Sequence, residues 1–297
     1  MRVLVTGAGG FVGFHVATAL AAVGKDVLAG VHRSVPDRLR DNPGIRLVPF
    51  DLSSDTAPEI DGPVDAIVHC AAVLPSVQSD PDRLFQTNVA GMAQLIAIAE
   101  NQGTGTFLHC SSMSAYGRIT VPVVSTDTPD TEPDAYGRSK SEGERLLDKA
   151  AADGGLAALS LRLPGIVGRG SHDNFLSATL GRIRAGERVR ARNPDALFNN
   201  IVHVTDLTVF MHHLLDALPP GHSTIPIASD RPVPIRSVLS ALFEELGLAE
   251  AVDYSEAGEP FLIDPEPARG LGFAVPATLD SVRRFARDYR EQPGPGR

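Results

Sequence analysis

Met1-Arg2-Val3-Leu4-Val5-Thr6-Gly7-Ala8-Gly9-Gly10-Phe11-Val12-Gly13-Phe14-His15-Val16 opens the chain. A short apolar strand runs into a glycine-rich turn, and the turn runs into a helix. Gly7 permits the tight turn, Gly10 lets the backbone approach a pyrophosphate, and Gly13 lets the helix lie close to the strand. The amides of Phe11 and Val12 then sit at a helix N-terminus, where unpaired N–H groups and the helix dipole favour a phosphate. Glycines at this spacing also occur in ordinary turns. The apolar strand before them, the amphipathic helix expected at Phe11–Ala22 and a second strand at Asp26 to Val31 point to dinucleotide binding.

From Arg2 to about Arg162, short apolar runs alternate with helical patterns. The runs Val3–Thr6, Val27–Val31, Arg46–Phe50, Ala66–Cys70, Thr106–Cys110 and Ala158–Arg162 read as strands, and Phe11–Ala22, Leu84–Asn101 and Ala135–Ala152 as helices. Such alternation implies right-handed crossovers and a doubly wound α/β fold, a parallel sheet with helices on both faces. Ligands of these sheets sit beyond the carboxyl ends of the strands. From Gly168 onward the rhythm weakens into Pro/Gly clusters at Pro219-Pro220-Gly221, Pro232, Pro234 and Pro260 to Pro267. The expected division is a dinucleotide-binding domain over 1–169 with 199–218 returning to it, a small substrate lobe over 170–198 and 219–290, and a frayed tail over 291–297.

The 297 residues carry 36 acidic and 27 basic side chains, a net charge of -9, which argues against nucleic-acid or anionic-membrane surfaces and for small-molecule partners. Two cysteines, Cys70 and Cys110, close two apolar runs and read as reduced, buried thiols. No Cys/His metal spacing and no membrane-length apolar run occurs, and Met1 leads straight into a strand. A cytoplasmic chain without a metal is the expectation.

The second strand ends in His32-Arg33 with no carboxylate to grip both ribose hydroxyls, so NADP is expected ahead of NAD. Asp51-Leu52 closes the third strand, with Asp51 read either as an acceptor for the adenine amino group or as a helix cap. Ala71-Ala72-Val73 closes the fourth with small residues that let backbone pass near a cofactor. His69 and Asn88 read as buried structural side chains. The fifth strand ends in Ser111-Ser112-Met113-Ser114, and Tyr136 and Lys140 share one face of the helix that follows. An ammonium beside a phenol favours the phenolate, so a lowered tyrosine pKa is expected, suited to proton exchange with an alcohol or carbonyl.

These motifs resemble the extended short-chain dehydrogenase/reductases, the NAD(P)-dependent epimerase/dehydratase family. The resemblance rests on Gly7 to Gly13, Asp51-Leu52, Ala71-Ala72, Ser111-Ser112 through Tyr116-Gly117, Tyr136 with Lys140, Arg162-Leu163-Pro164-Gly165-Ile166-Val167-Gly168, His203-Val204-Thr205-Asp206-Leu207 and Leu271-Gly272-Phe273. It implies Ser112 as the residue that hydrogen-bonds the reacting oxygen, Tyr136 as general acid/base and Lys140 on the nicotinamide ribose. It also implies Pro164, Gly165 and Ile166 beside the nicotinamide, a small lobe that binds substrate, and a homodimer through the helices at Leu84–Asn101 and Ala135–Ala152. Ser111 and Ser114 otherwise read as hydroxyls that satisfy local backbone.

Dehydratases of the family carry an acidic pair directly after the catalytic Ser/Thr. Met113 and Ser114 stand there instead, which disfavours dehydration and leaves them as substrate contacts. Asn174 reads as a substrate contact or a helix cap. Many nucleotide-sugar members have an arginine near Phe198-Asn199-Asn200; its absence leaves Arg192 or Arg190 as a substitute, or a substrate without a diphosphate. The leading expectation is an NADP-dependent oxidoreductase acting on a keto group or hydroxyl of a sugar, nucleotide-activated in the first instance. An NAD-dependent nucleotide-sugar epimerase with retained cofactor is the alternative, and a non-catalytic dinucleotide sensor comes third.

Overall fold

In the computed structural model, which describes residues 1–33, 35–54, 58–75 and 80–290, the chain divides into two units. The first comprises 1–118, 129–162 and 208–225; the second comprises 119–128, 163–207 and 226–297. The tail expected over 291–297 lies outside the described residues.

The first unit is built on a seven-stranded sheet. Its elements in chain order are β1 (Arg2–Thr6), α1 (Phe11–Ala22), β2 (Asp26–Val31), β3 (Ile45–Pro49), β4 (Ala66–His69), α2 (Pro81–Gln102), β5 (Thr106–Ser112), α3 (Ala135–Gly154), β6 (Ala157–Leu163) and β7 (Gly221–Pro226). The order across the sheet is β7-β6-β5-β4-β1-β2-β3, with β3/β2, β2/β1, β1/β4 and β4/β5 all parallel. Strand order reverses between β1 and β4, so their carboxyl ends open the crevice where such sheets bind ligands. The Gly7 turn follows β1 and Ala71-Ala72 follows β4.

Local chemistry explains the helices. Asp80 caps α2 by accepting from the Asp82 and Arg83 amides, Pro81 fills its first position, and Gly103 closes it with φ of 64°. Asp134 caps α3 by accepting from the Gly137 amide at 2.7 Å. α1 departs from the amphipathic pattern expected of it, because Phe11, Val12, Phe14, Val16, Ala17 and Leu20 leave almost no polar side. One core cluster of the unit joins Leu4, Leu28 and Ile67 of the sheet to Met92, Leu95 and Leu147 of the helices.

Two histidines lie inside this core. His69 and His109, opposite one another on β4 and β5, stack with ring centroids 5.6 Å apart. Thr6 Oγ1 lies 2.7 Å from His69 Nδ1, and Ser160 Oγ joins His109 Nδ1 at 3.3 Å to His222 Nε2 at 2.9 Å. Burial, with Lys140's charge nearby, pushes His69 down to about 3 and also lowers His109. Both are therefore neutral in the fold, whereas an unfolded histidine titrates near 6.5. Above that pH the two states carry the same charge. Below it the unfolded chain takes protons that the folded chain refuses, so stability falls as pH drops. Each histidine is expected to contribute up to about 1.4 kcal/mol per pH unit between about 6.5 and the folded value. Urea melts at pH 7.5 and 5.5 should show this loss, and His69→Asn should flatten the slope.

The second unit has its own core, in which Val167, Leu180, Ile183, Leu239, Leu242, Val282 and Phe285 pack together. Its short strand Gly165–Val167 pairs in parallel with Ile201–His203, and Val189–Arg192 pairs in parallel with Val252–Ser255. The unit boundaries fall differently from those expected. Residues 199–207 stay in the second unit because Ile201–His203 pairs there, and 119–128 join it because Val123–Val124 pairs with Leu262–Ile263. The return to the first unit begins at Thr208 and carries Gly221–Pro226 as the sheet's edge strand.

Candidate active site

The glycine turn has the shape that the sequence demands. Gly7 has φ of 68°, and a Cβ there would lie 2.6 Å from the Ala71 amide nitrogen. A Cβ on Gly13 would lie 2.2 Å from the Gly7 carbonyl oxygen, so only glycine lets α1 start this close to β1. Gly10 caps α1 without a side-chain bond, and no acidic side chain occupies the first turn. The leading amides, including those of Phe11 and Val12, are thus free of side-chain caps and fit an anionic pyrophosphate.

At the ends of β2 and β3, His32 Nε2 lies 3.2 Å from Asp51 Oδ2. Ser53 donates to Asp51 Oδ1 from its hydroxyl at 2.7 Å and its amide at 2.9 Å. These bonds, with His32 and Arg33 nearby, hold the Asp51 carboxyl below its ordinary value. Asp51 therefore closes a turn rather than capping a helix. Leu52 packs its side chain on α2, where a Cβ on Gly91 would lie 2.1 Å from Leu52 Cδ2. The loop after β4 is clamped by Asn88, which accepts from the Val73 amide at 2.7 Å and donates to the Val73 carbonyl at 3.1 Å. Ala71 and Ala72 are partly exposed and Val73 is exposed.

Ser112, Tyr136 and Lys140 come together at the carboxyl end of β5. Met113–Tyr116 forms one 3-10 turn capped by Ser112, whose Oγ accepts from the Ser114 amide at 3.1 Å. A Cβ on Gly137 would lie 2.1 Å from the Ser114 carbonyl oxygen. Glycine at 137 thus lets the first turn of α3 rest on this backbone, and the Ser112 hydroxyl acts on the Tyr136 phenol, favouring its ionised form. One helical turn on, Lys140 is buried with Nζ 5.6 Å from the Tyr136 ring centroid, donating to the Cys110 carbonyl at 2.7 Å.

The expected lowering of the Tyr136 pKa is not what this arrangement gives. Burial pushes the phenol up to about 12, and the influence of the Ser112 hydroxyl opposes this only in part. Burial also lowers Lys140, whose ammonium is committed to a carbonyl rather than to the phenol. Four residues apart on a helix places two groups on one face; it does not fix how much water reaches them.

Beneath the three residues lies a network that the sequence reading missed. Ser111 Oγ donates to Glu144 Oε1 at 2.5 Å instead of satisfying local backbone as expected. Arg162 donates from Nη2 to Glu144 Oε2 at 2.6 Å and from Nη1 to Asp130 Oδ1 at 2.6 Å. Its guanidinium lies over the Tyr116 ring at 4.2 Å. Glu144 stands one turn beyond Lys140, a carboxylate on an otherwise buried face, which was the available signal.

Of the remaining expected site residues, Pro164, Gly165, Ile166, Asn174, Arg190 and Arg192 belong to the second unit, and Met113 and Ser114 to the first. Pro164 precedes the strand Gly165–Val167, which includes Ile166. Asn174 caps the helix Phe175–Arg184 in a reciprocal pair with Ser177 and donates to the Ile166 carbonyl at 3.1 Å, so its carboxamide is engaged locally. Arg190 and Arg192 are exposed on one face of Val189–Arg192. Asn199 is buried; it donates to the Ile263 carbonyl at 2.7 Å and accepts from the Ile263 amide at 3.0 Å. Met113 is partly buried and Ser114 exposed.

An open-ended parallel sheet with a phosphate-shaped glycine turn defines a dinucleotide-binding α/β enzyme class. The chain belongs to the NAD dependent epimerase/dehydratase family, whose model matches residues 3–226. It is 26% identical to D-erythronate dehydrogenase of Haemophilus influenzae over 97% of this chain and 99% of that one. To a UDP-glucose 4-epimerase of Lacticaseibacillus casei it is 31% identical over 57% of its length, spanning only 52% of that enzyme. The solved structure of MoeE5 in complex with UDP-glucose and NAD matches with a TM-score of 0.81 at 26% identity, covering 98% of this chain and 99% of that one. Among the described residues no helix is long and apolar enough to cross a membrane.

Proposed function

We propose that this chain is an NAD(P)-dependent oxidoreductase that reduces a keto group, or oxidises the corresponding hydroxyl, on a sugar-derived substrate. The observation that carries the reading is the Tyr136 phenol under the influence of the Ser112 hydroxyl, with Lys140 one turn behind and its Nζ 5.6 Å from the Tyr136 ring centroid. Gly7, Gly10, Phe11, Val12 and Gly13 would hold the pyrophosphate through backbone, His32, Arg33 and Asp51 the adenosine end, and Lys140 the nicotinamide ribose. The bound nicotinamide supplies or accepts the hydride. Tyr136, protonated at neutral pH, delivers its proton to the carbonyl oxygen while Ser112 hydrogen-bonds that oxygen. Lys140 keeps positive charge behind the phenol once the proton has left.

The absence of a carboxylate at the end of β2, with exposed Arg33 in its place, supports NADP over NAD. Fluorescence titration should give tighter binding of NADPH than of NADH, and Arg33→Ala should narrow the gap by about tenfold, the loss of one charged contact. Equal affinities would overturn the preference. The full-length similarity to D-erythronate dehydrogenase and the engagement of Asn199 with Ile263 support a short polyhydroxylated acid or sugar as substrate. The relatives that act on or bind UDP-sugars support the second reading, a nucleotide-sugar epimerase that retains NAD. Thermal stabilisation by sugar acids against UDP- and GDP-sugars, with and without each cofactor, separates the substrates, since a ligand that binds the native state raises apparent stability. Nicotinamide released only on denaturation would favour the epimerase.

A further inference from the structure

Cys70 and Cys110 are the only two cysteines in the sequence, and both are free thiols. Because His69 stands opposite His109 on parallel β4 and β5, the next residue along each strand brings Cys70 against Cys110. Their sulfurs lie 3.4 Å apart, with the Cys110 S–H directed at Cys70 Sγ. A disulfide has its sulfurs at about 2.05 Å, so closure asks for little more than an ångström of approach along an existing contact. Cys110 is buried and Cys70 partly open. The Cys70 carbonyl carbon abuts the Gly7 turn, where a glycine Cβ would lie 2.9 Å away, and the Cys110 carbonyl holds Lys140 Nζ at 2.7 Å.

We propose that Cys70 and Cys110 are a redox modification site: a hydroperoxide closes them into a reversible disulfide that shifts the carbonyl anchoring Lys140. With a hydroperoxide, the Cys70 sulfur attacks the terminal oxygen and the O–O bond breaks. The products are a Cys70 sulfenic acid and water or an alcohol. The Cys110 sulfur then attacks Cys70 Sγ, the S–O bond breaks, and the departing hydroxide leaves as water with the Cys110 proton. Two thiols lose two electrons and two protons, and one peroxide is reduced. The bond to Cys110 and burial hold the Cys70 thiol high while Lys140 opposes them, so closure quickens as pH rises.

The consequence for turnover rests on the oxidoreductase reading, but closure itself does not. Purified protein is exposed to hydrogen peroxide, then examined by intact mass and by thiol titration after denaturation, before and after dithiothreitol. The expected result is that titratable thiols fall from two to none, that the monomer loses the mass of two hydrogens, and that NADPH and NADH bind about tenfold more weakly, as for loss of one charge-assisted hydrogen bond. Dithiothreitol should reverse all three. In Cys70→Ser, and in Cys70→Ala should the serine variant melt early, no two-hydrogen loss should occur and cofactor affinity should not respond to peroxide. Persistence of both thiols, addition of oxygen without closure, or a disulfide that leaves cofactor affinity unchanged would each overturn the proposal. Mass and thiol readouts need no substrate, so they stand apart from failure of the oxidoreductase reading.

Discussion

Tyr136→Phe is expected to lower kcat/KM for ketone reduction by about 10²- to 10⁴-fold, the usual contribution of a positioned general acid. Cofactor binding and the melting temperature should stay close to those of the parent. The substitution removes one oxygen from a ring whose place is set by backbone: Gly137 rests on Ser114, and Asp134 caps the helix. Ser112 keeps its bond from the Ser114 amide, so the loss should fall on the chemical step. The pH profile provides a second test. With the phenol pushed up to about 12, the acid form is present throughout the neutral range, so reduction should be nearly flat from pH 6 to 9. Oxidation needs the phenolate and should climb with pH over the same interval. Steady-state rates in both directions measure this; turnover of Tyr136→Phe within tenfold of the parent would remove Tyr136 from the mechanism.

How far this site can be read from residues depends on the range of the interactions. The Gly7 turn, α1 with its expected bounds and the shared face of Tyr136 and Lys140 are local, and each follows from steric rules within a few residues, whereas α2 starts at Pro81 on its Asp80 cap, three residues before the Leu84 expected of it. Asn88 was legible as a structural amide because a carboxamide inside a helix needs a partner, and it found Val73. The edge strand Gly221–Pro226 was not legible, because Pro219-Pro220-Gly221 reads as a turn and the strand's place is given only by its neighbour in the sheet. The pairing of Cys70 with Cys110 was hidden too: two apolar runs 40 residues apart say nothing of their register until β4 and β5 are adjacent. The raised phenol is a third instance, since water access to Tyr136 depends on what packs around it.

Arg162 should reveal how much the hidden network contributes. Its guanidinium bonds to Glu144 at 3.0 and 2.6 Å and to Asp130 at 2.6 and 3.2 Å, with side-chain exposure of 9% for Arg162 and 8% for Glu144. Burial alone would drive charge off the arginine; Glu144 and Asp130 hold it on, and the net shift is upward. Arg162→Met gives up the guanidinium contact with the Tyr116 ring and leaves the Glu144 carboxylate enclosed without its counter-charge. The expected loss is about 3–5 kcal/mol of unfolding free energy in urea, the range for one partner removed from a buried pair. Arg162→Met combined with Glu144→Met should cost less than the single change, because stranded charge rather than lost attraction is the larger penalty. Equal losses in the single and double variants would show that packing on Tyr116 dominates instead. Ser111, next in sequence to Ser112, holds Glu144, and Glu144 shares α3 with Tyr136 and Lys140, so the stranded charge loosens the placement of both Ser112 and Tyr136. A fall in kcat smaller than that of Tyr136→Phe, with KM nearly unchanged, is the result that separates positioning from proton transfer.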